Sequence, residues 1–306
     1  MGQLWVGATM IATVTSLPEL ATDISAAVIG APDLAAGDLF GSSLANMLIF
    51  AVLSIWFARL WRDRSISTVE WITWGVALLV TAEAMLFILF DMGPQMLAVG
   101  SGGILITVSY LVGARIIFQR SAASGRELLR QGQAAVTVDS SASPPLPDWP
   151  LKQVLVRFAG WSAVVLVTAP LLAVAAEQLA DVTGLGETLF GVIGLAAVTS
   201  LPELTASVAA CRRGLPSMVL GNLLGSNGLN MLIILAVDIF FTEAPFLQSI
   251  IETHALAALE GIVMMVAVMG GVLLLSRSRE ALGRAVLGAT VLFYVASMLS
   301  IYVHTT

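Results

Sequence analysis

Long apolar runs separated by short polar stretches dominate the chain. They lie near residues 4–29, 38–58, 71–90, 95–118, 153–179, 185–210, 217–241, 253–275 and 283–303. A helix needs about 20 predominantly apolar residues to cross the hydrocarbon core of a bilayer. The pattern therefore predicts an all-α membrane protein of about nine transmembrane helices. Only one long stretch, 119–152, does not span, and it contains Pro144-Pro145-Leu146-Pro147-Asp148-Trp149-Pro150 near its end. It reads as a flexible linker with a short helix near 124–133, dividing a membrane domain at 1–118 from another at 153–306.

Two of the runs are interrupted by the same polar phrase. Val-Thr-Ser-Leu-Pro-Glu-Leu occurs at residues 14–20 and again at 198–204. A second phrase follows each copy, Gly37-Asp38-Leu39-Phe40-Gly41-Ser42-Ser43-Leu44-Ala45-Asn46 and Gly221-Asn222-Leu223-Leu224-Gly225-Ser226-Asn227-Gly228-Leu229-Asn230. The offset is 184 residues for both, with 11 of 24 positions identical between 7–30 and 191–214 and 8 of 13 between 37–49 and 221–233. A polar site has been duplicated inside a membrane protein.

Composition changes this picture little. With 58% hydrophobic and 11% charged residues and a mean hydropathy of +0.94, a soluble fold is excluded, because a soluble surface carries about a quarter to a third charged residues. The placement of the bases is more informative than the net charge of −6. All 14 lie in four regions: Arg59 to Arg64, Arg115 to Arg157, Arg212 with Arg213, and Arg277 to Arg284. If those regions are cytoplasmic, no base lies on the other side, and the positive-inside rule puts the N-terminus inside and the C-terminus outside. The first and sixth spans then run in opposite directions. The two sequence repeats are inverted, the arrangement that lets a transporter expose one site alternately to each side. A single cysteine, Cys211, excludes an intramolecular disulfide, and no basic n-region marks a cleavable signal peptide. The compact size and lack of organelle targeting suit a prokaryotic cytoplasmic (inner) membrane.

The chemistry of the phrases is that of a cation site. Pro18 and Pro202 lack an N–H, so the carbonyls of Val14 and Val198 lose their helical partner and neighbouring carbonyls are expected to loosen. An orphan carbonyl in hydrocarbon is costly unless something polar fills the gap, and a cation does so well. Glu19 and Glu203 follow the kinks, Thr15, Ser16, Thr199 and Ser200 precede them, and Ser42 with Asn46 and Ser226 with Asn230 share a helix face at i, i+4. Carboxylate, hydroxyl, amide and carbonyl oxygens suit Na⁺, Ca²⁺ or Mg²⁺ and not zinc or copper. A charged carboxylate at the bilayer centre costs roughly 2.5–3.5 kcal/mol. No Lys or Arg stands at midplane in these spans, so the two Glu must hold divalent cations, monovalent cations or protons at different times. Competition for shared ligands is the physical basis of antiport.

These residues resemble the cation/calcium exchanger superfamily, specifically the sodium/calcium exchanger membrane region with its two inverted α-repeats. The resemblance covers nearly the whole chain. It implies Glu19 and Glu203 as shared Ca²⁺ ligands with Thr15 and Thr199. It also implies flanking Na⁺ sites at Ser16, Ser42, Ser200, Ser226 and the carbonyls of Ala12 and Ala196, with Asn46 and Asn230 completing the centre. Three departures stand out. Asn230 occupies a position where family exchangers often carry Asp; Asp38 and Ser43 replace the two Asn of the first Gly-Asn-x-x-Gly-Ser-Asn phrase; and the family's usual ten spans include a leading helix with no counterpart before Met1. The expectation is a start upstream of Met1.

Other polar residues carry blander readings. Asp23 reads equally as a lining of the external vestibule or a solvated helix face, and Asp38 as an acid favoured at a helix N-terminus. Glu83 and Glu260 read as an ion path or as interhelical hydrogen bonds, and His254 and His304 as interfacial groups. The expected function is a secondary active antiporter, not an enzyme, that exchanges Ca²⁺ for Na⁺ or H⁺ at a midplane site. The alternatives are exchange of another cation such as Mg²⁺, or a non-transporting relative. The partners expected are these ions and the lipid bilayer; no cofactor and no nucleic acid is expected.

Overall fold

The lipid phase leaves the backbone of a spanning segment one open-chain solution, the helix, and helices account for nearly all of the computed structural model. It describes residues 11–90, 95–96, 99–130, 150–184 and 186–305. Residues 11–15 are helical, Ser16 forms a turn, and α1 (Leu17–Val28) follows. Then come α2 (Pro32–Trp56), α3 (Thr68–Phe90), α4 (Ser101–Arg130), α5 (Leu151–Thr183), α6 (Gly186–Thr199), α7 (Leu201–Arg212), α8 (Pro216–Phe240), the short α9 (Phe246–Ser249), α10 (Thr253–Ser276) and α11 (Glu280–Thr305).

Seven unbroken helices among the described residues are long and apolar enough to cross a membrane: α2, α3, α4, α5, α8, α10 and α11. α6 and α7 make an eighth span when taken together, bent by 44° at Ser200. The span expected at 4–29 begins outside the described residues, and its described part breaks at Ser16. α2 and α8, which carry the second polar phrase, are the central helices, with 72% and 61% of their apolar windows buried. α5 and α11 are peripheral at 17% and 22%, presenting Leu166, Val167 and Leu292 outward.

Local chemistry sets the element ends. α1 and α7 close in the same way: Gly30 and Gly214 take positive φ, Ala31 N–H reaches Ala26 O at 2.9 Å, and Leu215 N–H reaches Ala210 O at 3.0 Å. This is the Schellman closure, which a Cβ at the glycine would oppose. A proline then starts the next helix, Pro32 in α2 and Pro216 in α8. The second span thus opens at 32 rather than the expected 38, because proline is preorganised for the first helical turn. The fourth opens at Ser101 rather than 95. Residues 95–96 and 99–100 instead pair as antiparallel strands β1 and β2, and Gly100 N–H donates to Asp238 Oδ2 at 2.7 Å. Phe246 N–H donates to Asp238 Oδ1 at 2.8 Å, so one carboxylate clamps both connections at this end of the bundle. α4 continues to Arg130, into the segment expected to be linker, whose centre at 131–149 lies outside the described residues.

Close packing of α2 against α6 depends on missing side chains. A Cβ at Gly37 would stand 2.9 Å from Gly191 Cα, and one at Gly41 only 2.6 Å from Val192 Cα. The partner stretch Gly191–Leu195 is wound as a π-helix, a form that marks local insertions and often functional sites.

Candidate functional site

Both proline-containing phrases lie at helix breaks, and both glutamates fall in the first turn after the break. The break is narrow. Ser16 N–H still donates to Ala12 O at 3.0 Å and Leu20 N–H to Ser16 O at 3.1 Å; Ser200 and Leu204 repeat these bonds, both at 3.1 Å. The expected loosening of neighbouring carbonyls therefore does not extend to Ala12, Ser16, Ala196 or Ser200. Ala12 O also accepts Thr15 Oγ1 at 3.1 Å, and Thr199 Oγ1 lies 3.4 Å from Ala196 O. As ion ligands, these two carbonyls would share their lone pairs with donors of their own helix.

All twelve expected ligand residues, Ala12, Thr15, Ser16, Glu19, Ser42, Asn46, Ala196, Thr199, Ser200, Glu203, Ser226 and Asn230, are buried. The contacts run across the two halves of the chain. Ser16 Oγ donates to Ser226 Oγ at 3.3 Å, and Ser226 Oγ donates to Glu203 Oε1 at 3.2 Å. Ser42 Oγ and Thr199 Oγ1 lie 3.1 Å apart. Asn46 Nδ2 donates to Asn227 Oδ1 at 3.0 Å.

Several oxygens are left open. Both Glu19 carboxylate oxygens, Glu203 Oε2, Ser200 Oγ, Asn46 Oδ1 and both amide atoms of Asn230 are buried without a hydrogen-bond partner. Buried polar atoms are rarely orphaned, and a group of them points to an ion or water that they serve. No three acidic, His or Cys side chains among the described residues converge closely enough to hold a metal by themselves. Any cation here would be shared between carboxylate and neutral oxygens, the mixed donor set of hard cations.

Residues outside the expected set complete the network. Thr15 Oγ1 contacts Asn222 Oδ1 at 3.4 Å, and Thr199 Oγ1 donates to Asp38 Oδ1 at 2.8 Å. These are the same contact in the two halves, since Thr199 and Asn222 follow Thr15 and Asp38 by 184 residues. Asn222 Nδ2 also donates to Ser207 Oγ at 3.1 Å and to Glu203 O at 3.2 Å. Asn227 Nδ2 donates to Ser43 O at 3.3 Å. Their signal was in the Gly-Asn-x-x-Gly-Ser-Asn phrase, whose two Asn flank the serine ligand along one helix.

Three blander expectations are corrected. Asp38 is not a helix N-terminal acid, because α2 starts at Pro32 and its first-turn acid is Asp33. Asp23 is no solvated face: it is fully buried. His254 is not interfacial but fully buried, with Nε2 3.0 Å from Asp33 Oδ1, which also accepts Ile251 N–H at 2.9 Å. Glu83 accepts Ser109 Oγ at 2.7 Å, an interhelical bond between α3 and α4, while His304 is exposed as expected.

Comparison with known proteins agrees with this architecture. The family described as "Sodium/calcium exchanger protein" matches residues 1–117 and 154–303. A putative antiporter, CaxA, of Alkalimonas amylolytica is 30% identical over 244 residues, 76% of this chain and 68% of that protein. An uncharacterized membrane protein of Methanocaldococcus jannaschii, MJ0091, is 25% identical over 78% of this chain and 71% of its own length. The solved sodium-calcium exchanger NCX_Mj superposes with a TM-score of 0.56 over 97% of this chain and 87% of its own, at 21% identity, a likeness of fold. The family match takes in both proline–glutamate phrases and both asparagine phrases that meet in the buried oxygen network, and this chain belongs to the sodium/calcium exchanger protein family.

Proposed function

We propose that the chain is a secondary active cation antiporter that exchanges Ca²⁺ for Na⁺ or H⁺ by alternating access. One observation carries the reading. Glu19 and Glu203 are fully buried at equivalent helix breaks, three of their four carboxylate oxygens have no hydrogen-bond partner, and no base pairs with either among the described residues. Such a pair requires cations or protons, and exchanging one for another at shared ligands couples their movements. The flanking hydroxyls of Thr15, Ser16, Ser42, Thr199, Ser200 and Ser226 serve as neutral ligands, with Asn46 and Asn230 at the centre. The reading takes the two halves as inverted repeats; the paired Thr15–Asn222 and Thr199–Asp38 contacts support that relation.

The test is ⁴⁵Ca²⁺ uptake into proteoliposomes under an outward Na⁺ gradient and then an outward H⁺ gradient, with Glu203→Gln as control. Uptake driven by one gradient and lost in the variant names the coupling ion. Asn230 supplies a neutral amide, and its reduced charge favours a second reading, exchange of another divalent cation such as Mg²⁺. Competition by Mg²⁺ and absence of Ca²⁺ uptake would select it. Absence of transport for every cation would overturn antiport.

A further inference from the structure

Among the differences between the two halves of the site, one pair of positions changes its charge. In the second half Asn222 and Ser207 satisfy each other: Asn222 Nδ2 donates to Ser207 Oγ at 3.1 Å, and Asn222 Oδ1 contacts Thr15 Oγ1 at 3.4 Å. In the first half the same positions hold Asp38 and Asp23. They exchange an amide and a hydroxyl for two carboxyls at the positions whose counterparts bond to each other in the second half. Asp38 Oδ1 accepts Thr199 Oγ1 at 2.8 Å and Ser42 Oγ at 3.3 Å. Asp38 Oδ2 and both oxygens of Asp23 have no hydrogen-bond partner, and both side chains are fully buried.

Charge makes the difference consequential. A Ca²⁺ between Glu19 and Glu203 balances two carboxylates and leaves Asp23 and Asp38 uncompensated. No ion pair among the described residues reaches either aspartate; those present involve Arg62, Arg64, Arg284 and His254. Burying a carboxylate without a counter-charge costs several kcal/mol. The nearby Thr199 and Ser42 hydroxyls donate to Asp38 and still have lone pairs free for a cation.

We propose that Asp23 and Asp38 form a further binding position for a hard cation, found only in the first half of the chain and lying beside the Glu19–Glu203 site. Its ligands are the three open carboxylate oxygens, assisted by the hydroxyls of Thr199 and Ser42. The inference rests on the reading that the glutamate pair binds cations. It adds that this chain holds more cation charge than that pair alone accounts for.

The experiment is equilibrium binding of ²²Na⁺ and ⁴⁵Ca²⁺ to the purified full chain in detergent, at fixed pH. The wild type is compared with Asp23→Ser/Asp38→Asn, with Asp38→Asn and with Glu203→Gln. The double variant installs the Ser–Asn pair that the second half already accommodates, and Asp38→Asn alone preserves side-chain shape should the double variant not fold. The expected result is that the wild type shows two classes of cation site. The aspartate variants lose one class completely and keep the class that Glu203→Gln removes. Wild-type saturation in the aspartate variants overturns the inference and leaves the pair sharing only a proton, with the antiporter reading intact. No binding to the wild type at all overturns both.

Discussion

Asn227 donates its side-chain amide to the backbone carbonyl of Ser43 at 3.3 Å, and the two residues stand 184 positions apart, the same offset that separates the duplicated phrases. Each is therefore the other's counterpart. The bond joins α2 to α8. Asn46 donates to the same Asn227 at 3.0 Å.

Asn227→Ala should weaken the centre without touching a carboxylate. It removes the acceptor of Asn46 and the donor to Ser43, and orphaned buried groups cost about 1–3 kcal/mol each. A drop in thermal unfolding temperature in detergent checks this. An unchanged midpoint would show that water replaces the amide.

Glu19→Gln and Glu203→Gln should each reduce divalent transport to background while leaving the protein folded, since glutamine keeps shape and removes charge. Proteoliposome ⁴⁵Ca²⁺ flux is the readout. Wild-type flux in both variants would remove these residues from the ion path.

Asn230→Asp should strengthen the dependence of transport on Na⁺. Neither amide atom of Asn230 has a hydrogen-bond partner, so a carboxylate there would have both oxygens free. The check is the Na⁺ concentration for half-maximal exchange, expected to fall. No change would detach this position from coupling.

Gly41→Ala should destabilise the α2–α6 contact, whereas Gly75→Ala in α3 should not. A Cβ at Gly41 would meet Val192 backbone at 2.6 Å, and none of the molecule lies within 4 Å of one at Gly75. Overpacking of this kind costs about 1–3 kcal/mol. Equal unfolding temperatures for the two variants would show that the helices move apart at no cost.

From the sequence alone came the features that depend on neighbours along the chain. Apolar run length predicted the spanning helices, proline predicted the breaks near Ser16 and Ser200, and the doubled phrase located Glu19 and Glu203. The start of α2 was legible in Pro32 and was placed too late, whereas that of α4 needed a distant partner: Asp238 holds Gly100 outside α4, a contact over 138 residues. Only tertiary structure decided that Asp23 and Asp38 are both fully buried, that Asn222 joins Thr15 to Ser207, and that His254 is buried against Asp33 across 221 residues. Helical periodicity says which residues share a face. Which face meets which is set by the rotation and close approach of packed helices, and here a missing Cβ at Gly37 and Gly41 brings α2 and α6 together.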